Sequence, residues 1–566
     1  MTTETDQPTV EEPALEEPAE KPRPRWRRVI SWALTAVAAL LVLFALVGPN
    51  ELDRLGVLAF LRVPIEGLAV AGLMLVLPGR ARRVAAVLIG VLLGLLIIIK
   101  LADMGFTAVL DRPFDPVLDW AFFQFGLEFL SLSVGKAGAI AAAVGAAVLA
   151  LVLLALMPLA VLRLARQVTA HRRTSTRAVI VLGVVWVSCA VLGVRIGDGP
   201  VASHDAATIA RDRVVMIGAG IADQRAFAEQ AAVDAFRDTP GSKLLTGLRG
   251  KDVILAFVES YGRVALDDPE FGPQVGAMLD AGSQRLRAAG FASRSAYLTS
   301  STAGGGSWLA HSTLLSGLWV DNQQRYRTLV TSDRLTLNGA FQRAQWRTVG
   351  VMPAITRAWP EGDFYGYDHV YTAHNSGYQG PPFFYATMPD QYTLAALQRN
   401  ERAGTDRAPV MAEIAMLSSH TPFAPVPPLL DWNTIGDGTV YNGMPASLEH
   451  PEDIWDDRDK SRAAYAHSIE YSVSSLISFM ENYGDDNLVL IFLGDHQPAP
   501  MITGDGASRD VPITIVARDP AIFDRIADWN WHDGLKPAAN SPTWRMDTFR
   551  DRFLTTFGPQ PPDDNH

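Results

Sequence analysis

The chain has a single cysteine, Cys189, in 566 residues. It can form no internal disulfide, and thiol content says little about compartment. Positive charge is also in deficit, with 49 Lys and Arg against 60 Asp and Glu for a formal net charge of −11. That balance argues against a general nucleic-acid binder, whose affinity depends on neutralising many phosphates. Aromatic residues are scarce in the first 24 positions, which are rich in Glu and Pro and read as a disordered tail. This long acidic tail and the apolar segments beyond the first one argue against a cleaved signal peptide.

The length exceeds what one soluble core usually occupies, so more than one structural unit is expected. Apolar residues make up 48% of the chain, but they concentrate in residues 29–197. Five stretches there, 29–48, 56–77, 84–103, 137–162 and 178–196, approach the roughly 20 residues that a membrane-crossing helix needs. The second is interrupted by Arg62, Pro64 and Glu66 and also reads as a re-entrant or interfacial helix. Removing it from the count would move the C-terminal domain to the opposite side.

Basic residues support five crossings, because Lys and Arg accumulate in short cytoplasmic loops. Lys21, Arg23, Arg25, Arg27 and Arg28 precede the first stretch. Arg80, Arg82 and Arg83 separate the second and third, and Arg163, Arg166, Arg172, Arg173 and Arg177 separate the fourth and fifth. The loop between the third and fourth carries Asp111, Asp115, Asp119 and Glu128 against Arg112 and Lys136. The expected organisation is a cytoplasmic tail (1–28), a five-helix transmembrane region (29–197), a linker with amphipathic character (198–244) and an extracellular domain (245–560), in a multi-pass protein of the cell membrane with a cytoplasmic N-terminus.

Within 245–560 the pattern alternates. Apolar runs of strand length lie at 252–258, 348–352, 410–417, 488–493 and 512–517, with helical segments near 272–289, 333–344, 389–402 and 461–482. Such alternation indicates an α/β sheet covered by helices, with functional residues at the carboxyl ends of strands. Glu259 follows the run DVILAFV, and Gly494-Asp495-His496 follows LVLIFL. Two strand ends thus deliver two carboxylates and an imidazole, a donor set that suits a hard or borderline divalent cation.

Residues 300–308, SSTAGGGSW, place hydroxyls around three glycines just ahead of a helical segment. Glycines allow close backbone approach and a helix N-terminus favours an anion, so Ser307 is a candidate nucleophile. The same position also suits a simple Ser N-cap.

The ordered motifs VESYG (258–262), GGGSWLAHSTLLSG (304–317), WPEGDFYGYD (359–368), SSHTPF (418–423) and LGDHQP (493–498) resemble the lipoteichoic acid synthase branch of the sulfatase and alkaline phosphatase superfamily. The resemblance covers most of residues 245–525, and five spans ahead of an outer catalytic domain also look like that branch. It implies a sulfatase-like α/β domain in which Glu259, Ser307, Asp495 and His496 hold one divalent ion, Mn2+ first, with Mg2+ or Zn2+ as alternatives. It implies Ser307 as the nucleophile, where the family usually has Thr, with Ser301 and Thr302 as lesser candidates. His420 would face the substrate phosphate or protonate a leaving oxygen.

His311 falls one helical turn after Ser307, at a spacing that suits substrate contact or a supporting role. Trp359, Asp363 and Tyr365 offer the aromatic and polar mixture that a glycerol or sugar head group needs, and Arg357 can contact a phosphate by paired hydrogen bonds. The implied activity is metal-dependent transfer or hydrolysis of a phosphorus-containing ester, of glycerol phosphate or phosphoethanolamine type. A membrane phospholipid would be the donor and an envelope glycan or lipid the acceptor, with no nucleic-acid partner. Two alternatives remain open. A sulfatase is disfavoured because Ser307 is followed by Trp-Leu-Ala-His rather than the signature that matures to formylglycine. A non-catalytic glycan-binding module is disfavoured because the ligand set is intact.

Overall fold

The structure is a computed structural model that describes residues 25–52, 54–196, 199–404, 406–455 and 457–559. The tail read as disordered, residues 1–24, lies outside the described residues. The chain divides into two compact units, one made of residues 1–48, 56–98 and 149–207 and the other of 49–55, 99–148 and 208–566.

The helices of the first third follow the apolar runs. They are α1 (Arg25–Val47), α2 (Ile65–Val76), α3 (Gly79–Leu110), α4 (Trp120–Ser133), α5 (Gly135–Ala170) and α6 (Arg172–Leu192). Among the described residues, four helices rather than the expected five are long and apolar enough to cross a membrane: α1, α3, α5 and α6. The expected second span shrinks to the 12 residues of α2, about 18 Å of helix against a hydrocarbon core of about 30 Å. Its polar interruptions explain the shortening. Pro64, which has no N–H to donate, precedes the first turn at Ile65. Arg62 instead donates to the carbonyls of Ala59 and Val47 and pairs with Asp205 at 2.7 Å.

The stretch expected as a linker contains α7 (Asp205–Ala232), a helix of 28 residues. Arg213 on α7 donates to both oxygens of Asp103, a fully buried residue of α3, at 2.5 Å each. Asp103 also accepts from the Phe114 backbone N–H and from Asn50. A charge this deep persists because it is paired and every oxygen is hydrogen-bonded.

The second unit is built on a nine-stranded sheet. Its strands in chain order are β1 (Asp252–Val258), β2 (Ala292–Thr299), β3 (Arg347–Met352), β4 (His369–Thr372), β5 (Val410–Met416), β6 (Leu488–Gly494), β7 (Asp510–Ala517), β8 (His532–Asp533) and β9 (Thr543–Arg545). The spatial order is β8-β2-β7-β6-β1-β5-β3-β4, with β9 pairing β2. β6, β1, β5, β3 and β4 run parallel, while β7 is antiparallel to both β6 and β2. The carboxyl end of β2 therefore lies on the same edge as those of β1, β5 and β6.

Every side chain of β1 is buried, as a strand covered on both faces requires. Ile254, Ala256 and Val258 point into one core, packed with Gly272–Ala288 and Arg458–Tyr483, whereas Val253, Leu255 and Phe257 point into the other, with Ser307–Ser316 and Phe549–Thr556. Burial of each large apolar side chain contributes about 1.5–3 kcal/mol relative to exposure. In chain order, α7 is followed by α8 (Val264–Asp267), α9 (Gly272–Ala288) and α10 (Ser307–Ser316).

Candidate metal centre

Parallel pairing of β1 with β6 aligns Val258 with Gly494, so Glu259 and Asp495-His496 leave the sheet side by side. Gly494 permits the approach: a Cβ there would stand 1.9 Å from the Tyr261 carbonyl oxygen. The turn that carries Glu259 places Ser260 at φ 57°, a left-handed conformation that a non-glycine residue rarely adopts. Asp495 Oδ1 holds this turn by accepting from the backbone N–H groups of Ser260 and His496, both at 2.7 Å.

The opposite wall comes from the loop after β2. Gly304, Gly305 and Gly306 all have positive φ, and a Cβ on Gly304 would meet the Val109 carbonyl oxygen at 1.8 Å. No other residue type fits that loop unchanged. Gly306, not Ser307, occupies the N-cap position of α10. The Ser307 hydroxyl is therefore not a helix cap. It donates to Glu259 Oε2 at 2.9 Å and lies 3.2 Å from His496 Nε2. The two other hydroxyls considered for nucleophile are engaged in structure, since Ser301 Oγ accepts from Thr313 and Thr302 donates to the Gly305 carbonyl.

Glu259, Asp495 and His496 offer ligand atoms within 4.8 Å of one another. His496 Nδ1 lies 2.8 Å from the Gln497 carbonyl, which can only accept, so Nδ1 carries a proton and Nε2 faces the carboxylates. The Nε2 distances are 3.3 Å to Glu259 and 3.6 Å to Asp495. Asp495 Oδ2 is buried and has no hydrogen-bond partner among the described residues. An orphaned buried acceptor costs about 1–3 kcal/mol, and a cation removes that cost. The residues thus fit one divalent ion, held by oxygen and nitrogen donors.

Charges are correspondingly shifted. Burial and the neighbouring Glu259 charge push Asp495 up to about 6. Burial opposes ionisation of Glu259, but the His496 hydrogen bond and charge outweigh it and hold that carboxyl well below the ordinary carboxylate range. Burial likewise opposes the charged form of His496, yet the Asp495 charge and the Glu259 hydrogen bond raise it to about 9.

The remaining candidates are distributed unequally. His420 lies four residues beyond β5, is exposed, and lines a small cavity with Phe383, Tyr385, Ser418 and Pro422. His311 is on α10, one turn from Ser307, with its ring stacked on Phe257. Arg357 is exposed, and Trp359 packs against Tyr365 and Tyr367. Tyr365 is buried, and its hydroxyl is bonded to Ser312. Asp363 borders a separate open pocket with Arg334, Gln342 and Arg343. The loop after β3 carries Asp363, a head-group candidate for the aromatic and polar mixture around it, to the border of that pocket.

One charged residue of this region was missed. Glu413 lies in the middle of β5, is 1% exposed, and accepts from His311, Asn338 and Tyr367. A lone acidic residue inside an otherwise apolar strand was the available signal.

No family model and no curated protein matches the chain. Solved structures do. The chain is similar to the lipoteichoic acid synthase LtaP from Listeria monocytogenes, with a TM-score of 0.37 and 13% identity over 56% of this chain and 74% of that one. The phosphoglycerol transferase GacH of Streptococcus pyogenes gives 0.37 and 12% over 59% and 81%. The periplasmic domain of EptC from Escherichia coli gives 0.36 and 12% over 54% and 82%. Likeness at this level adds no argument about activity, which rests on the site itself.

Proposed function

We propose that this chain is a membrane-anchored, metal-dependent transferase or hydrolase of phosphorus-containing esters, with Ser307 as its nucleophile. The observation that carries the reading is the Ser307 hydroxyl donating to Glu259 at 2.9 Å, beside three convergent metal donors. Glu259, Asp495 and His496 would hold a divalent ion, Mn2+ in the first instance, which would lower the proton affinity of a bound hydroxyl and offset charge on phosphoryl oxygens.

The chain's own residues supply the rest. Ser307 opens α10, so its hydroxyl sits at a helix N-terminus that favours an anionic phosphoryl group. Ser307 gives its hydroxyl proton to solvent, and attack by its Oγ on phosphorus forms a covalent ester and expels the leaving alcohol, whose oxygen takes a proton from His420. A second hydroxyl, from water or an acceptor, then returns its proton to His420 as it displaces Ser307, whose oxygen is reprotonated from solvent. The donor is a phospholipid carrying glycerol phosphate or phosphoethanolamine, and the acceptor an envelope glycan or lipid, as the apolar helices of the same chain suggest.

The domain is placed outside the cell membrane. Arginines lie in the opening turns of both α1 and α3, and keeping both groups cytoplasmic requires a return crossing in between. Among the described residues between the two groups, the apolar segment 57–76, with a 3-10 turn at Val57–Leu61 and α2 as its helical parts, is the stretch available for it. Replacing Ser307 with Ala is expected to abolish turnover of a labelled phospholipid while the domain stays folded, and retained turnover would reject the assignment.

A further inference from the structure

Glu413 shares a sheet face with the metal donors. Register pairs it with Leu255, and Leu255 and Phe257 point into the core beneath α10, the side to which strand alternation also assigns Glu259. Such a central position on a strand normally takes an apolar residue, yet here three donors converge on one carboxylate. Oε1 accepts from His311 Nδ1 at 2.9 Å, and Oε2 accepts from Asn338 Nδ2 and the Tyr367 hydroxyl, both at 2.6 Å. All four lone-pair directions are nearly used, so the carboxylate is fixed.

His311 is fixed in turn. Its ring lies 3.7 Å from the Phe257 ring with an interplanar angle of 17°, and its Nδ1 is committed to Glu413. Nε2 has no hydrogen-bond partner among the described residues, and the side chain retains 12% exposure. A histidine held from behind by a buried carboxylate, with one free nitrogen one helical turn from a candidate nucleophile, is arranged as a presenting group and not as a packing one.

We infer that the Glu413–His311 dyad belongs to the reacting site, with His311 Nε2 donating to a phosphoryl oxygen of the ester and Glu413 acting as its positioning residue. This rests on the reading of Ser307 and its metal donors given above. An imidazole that donates through both ring nitrogens offsets the carboxylate behind it and presents an N–H to an anionic oxygen in front. No bond is made or broken at His311.

The test uses the full chain in detergent micelles, titrated first with Mn2+ and then with inorganic phosphate or, separately, a short-chain phosphatidylglycerol. In His311→Ala the affinity for both phosphorus ligands is expected to fall by roughly 10-fold or more, the usual scale for a hydrogen bond to a charged group. Mn2+ affinity should stay at the wild-type value, while Tm falls modestly because the buried Glu413 carboxylate loses one of its three donors. Glu413→Gln keeps an acceptor for Nδ1 and should give a smaller loss of phosphate affinity, again with Mn2+ binding retained.

Unchanged phosphate affinity in His311→Ala overturns the inference, as does a loss confined to the phospholipid or an equal loss of Mn2+ affinity. Failure of the wild type to bind Mn2+ overturns the metal reading and this inference with it, so the two failures are distinguishable.

Discussion

His496 Nε2 stands 3.2 Å from the Ser307 hydroxyl, while its Nδ1 is held by the Gln497 carbonyl. One ring nitrogen is thus anchored to the strand end and the other is turned toward both the Ser307 hydroxyl and the carboxylates. The same geometry makes the site a competition between a proton and a cation, and its pH dependence follows.

In the metal-free protein His496 is raised to about 9 and Asp495 to about 6. A cation must displace those protons, so Mn2+ affinity should climb as pH rises from 6 toward 9 and level off above it. Isothermal titration at several pH values checks this. An affinity that is flat across that range, or falls, would contradict a site built on His496.

Asp495→Asn removes one charge and places an N–H or a neutral oxygen where Oδ2 now lacks a partner. Outer-shell changes cost about 10–100-fold in metal affinity, and a direct ligand should cost at least the upper end of that range. Metal analysis of the purified variant, beside wild type, measures it.

Gly304→Ala adds a methyl that would meet the Val109 carbonyl oxygen at 1.8 Å, at a φ of +71°. Overpacking of this kind costs about 1–3 kcal/mol, and the left-handed backbone adds about 1 kcal/mol or more. The loop must shift, and Ser307 with it, so turnover should fall more steeply than Tm.

Arg213→Ala leaves Asp103 charged and buried without its partner. Breaking such a pair costs about 3–5 kcal/mol, which should appear as a lowered Tm of the detergent-solubilised chain. Asp103→Asn together with Arg213→Met should recover part of the loss, because no uncompensated charge then remains.

Much of this arrangement was legible in the sequence, for physical reasons. The strand ends carrying Glu259 and Asp495-His496 follow uninterrupted apolar runs, and such runs in an alternating pattern read as buried parallel strands. Gly304 to Gly306 announced a backbone that had to approach another closely, though not that the other would be Val109. The crossing count was less legible, because Arg62 and Pro64 shorten a helix that composition alone extends. Glu413 was missed because its partners, His311, Asn338 and Tyr367, lie 46 to 102 positions away. Asp363 stands in an aromatic and polar stretch, but nothing in local pattern specifies which way a loop turns.

The outward placement is testable with the lone native thiol removed. In a Cys189→Ser background, Asp528→Cys puts a thiol at an exposed position. Intact cells should show labelling by a membrane-impermeant maleimide without permeabilisation. Labelling only after permeabilisation would place the domain inside and make α2 a non-crossing helix.

The covalent step is the most exposed part of the account. Full-length protein incubated with Mn2+ and labelled phospholipids, quenched and digested, should yield a peptide bearing a phosphorus-containing adduct on Ser307, absent from Ser307→Ala. A sulfated Ser307, an adduct on another residue, or turnover without any adduct would contradict it.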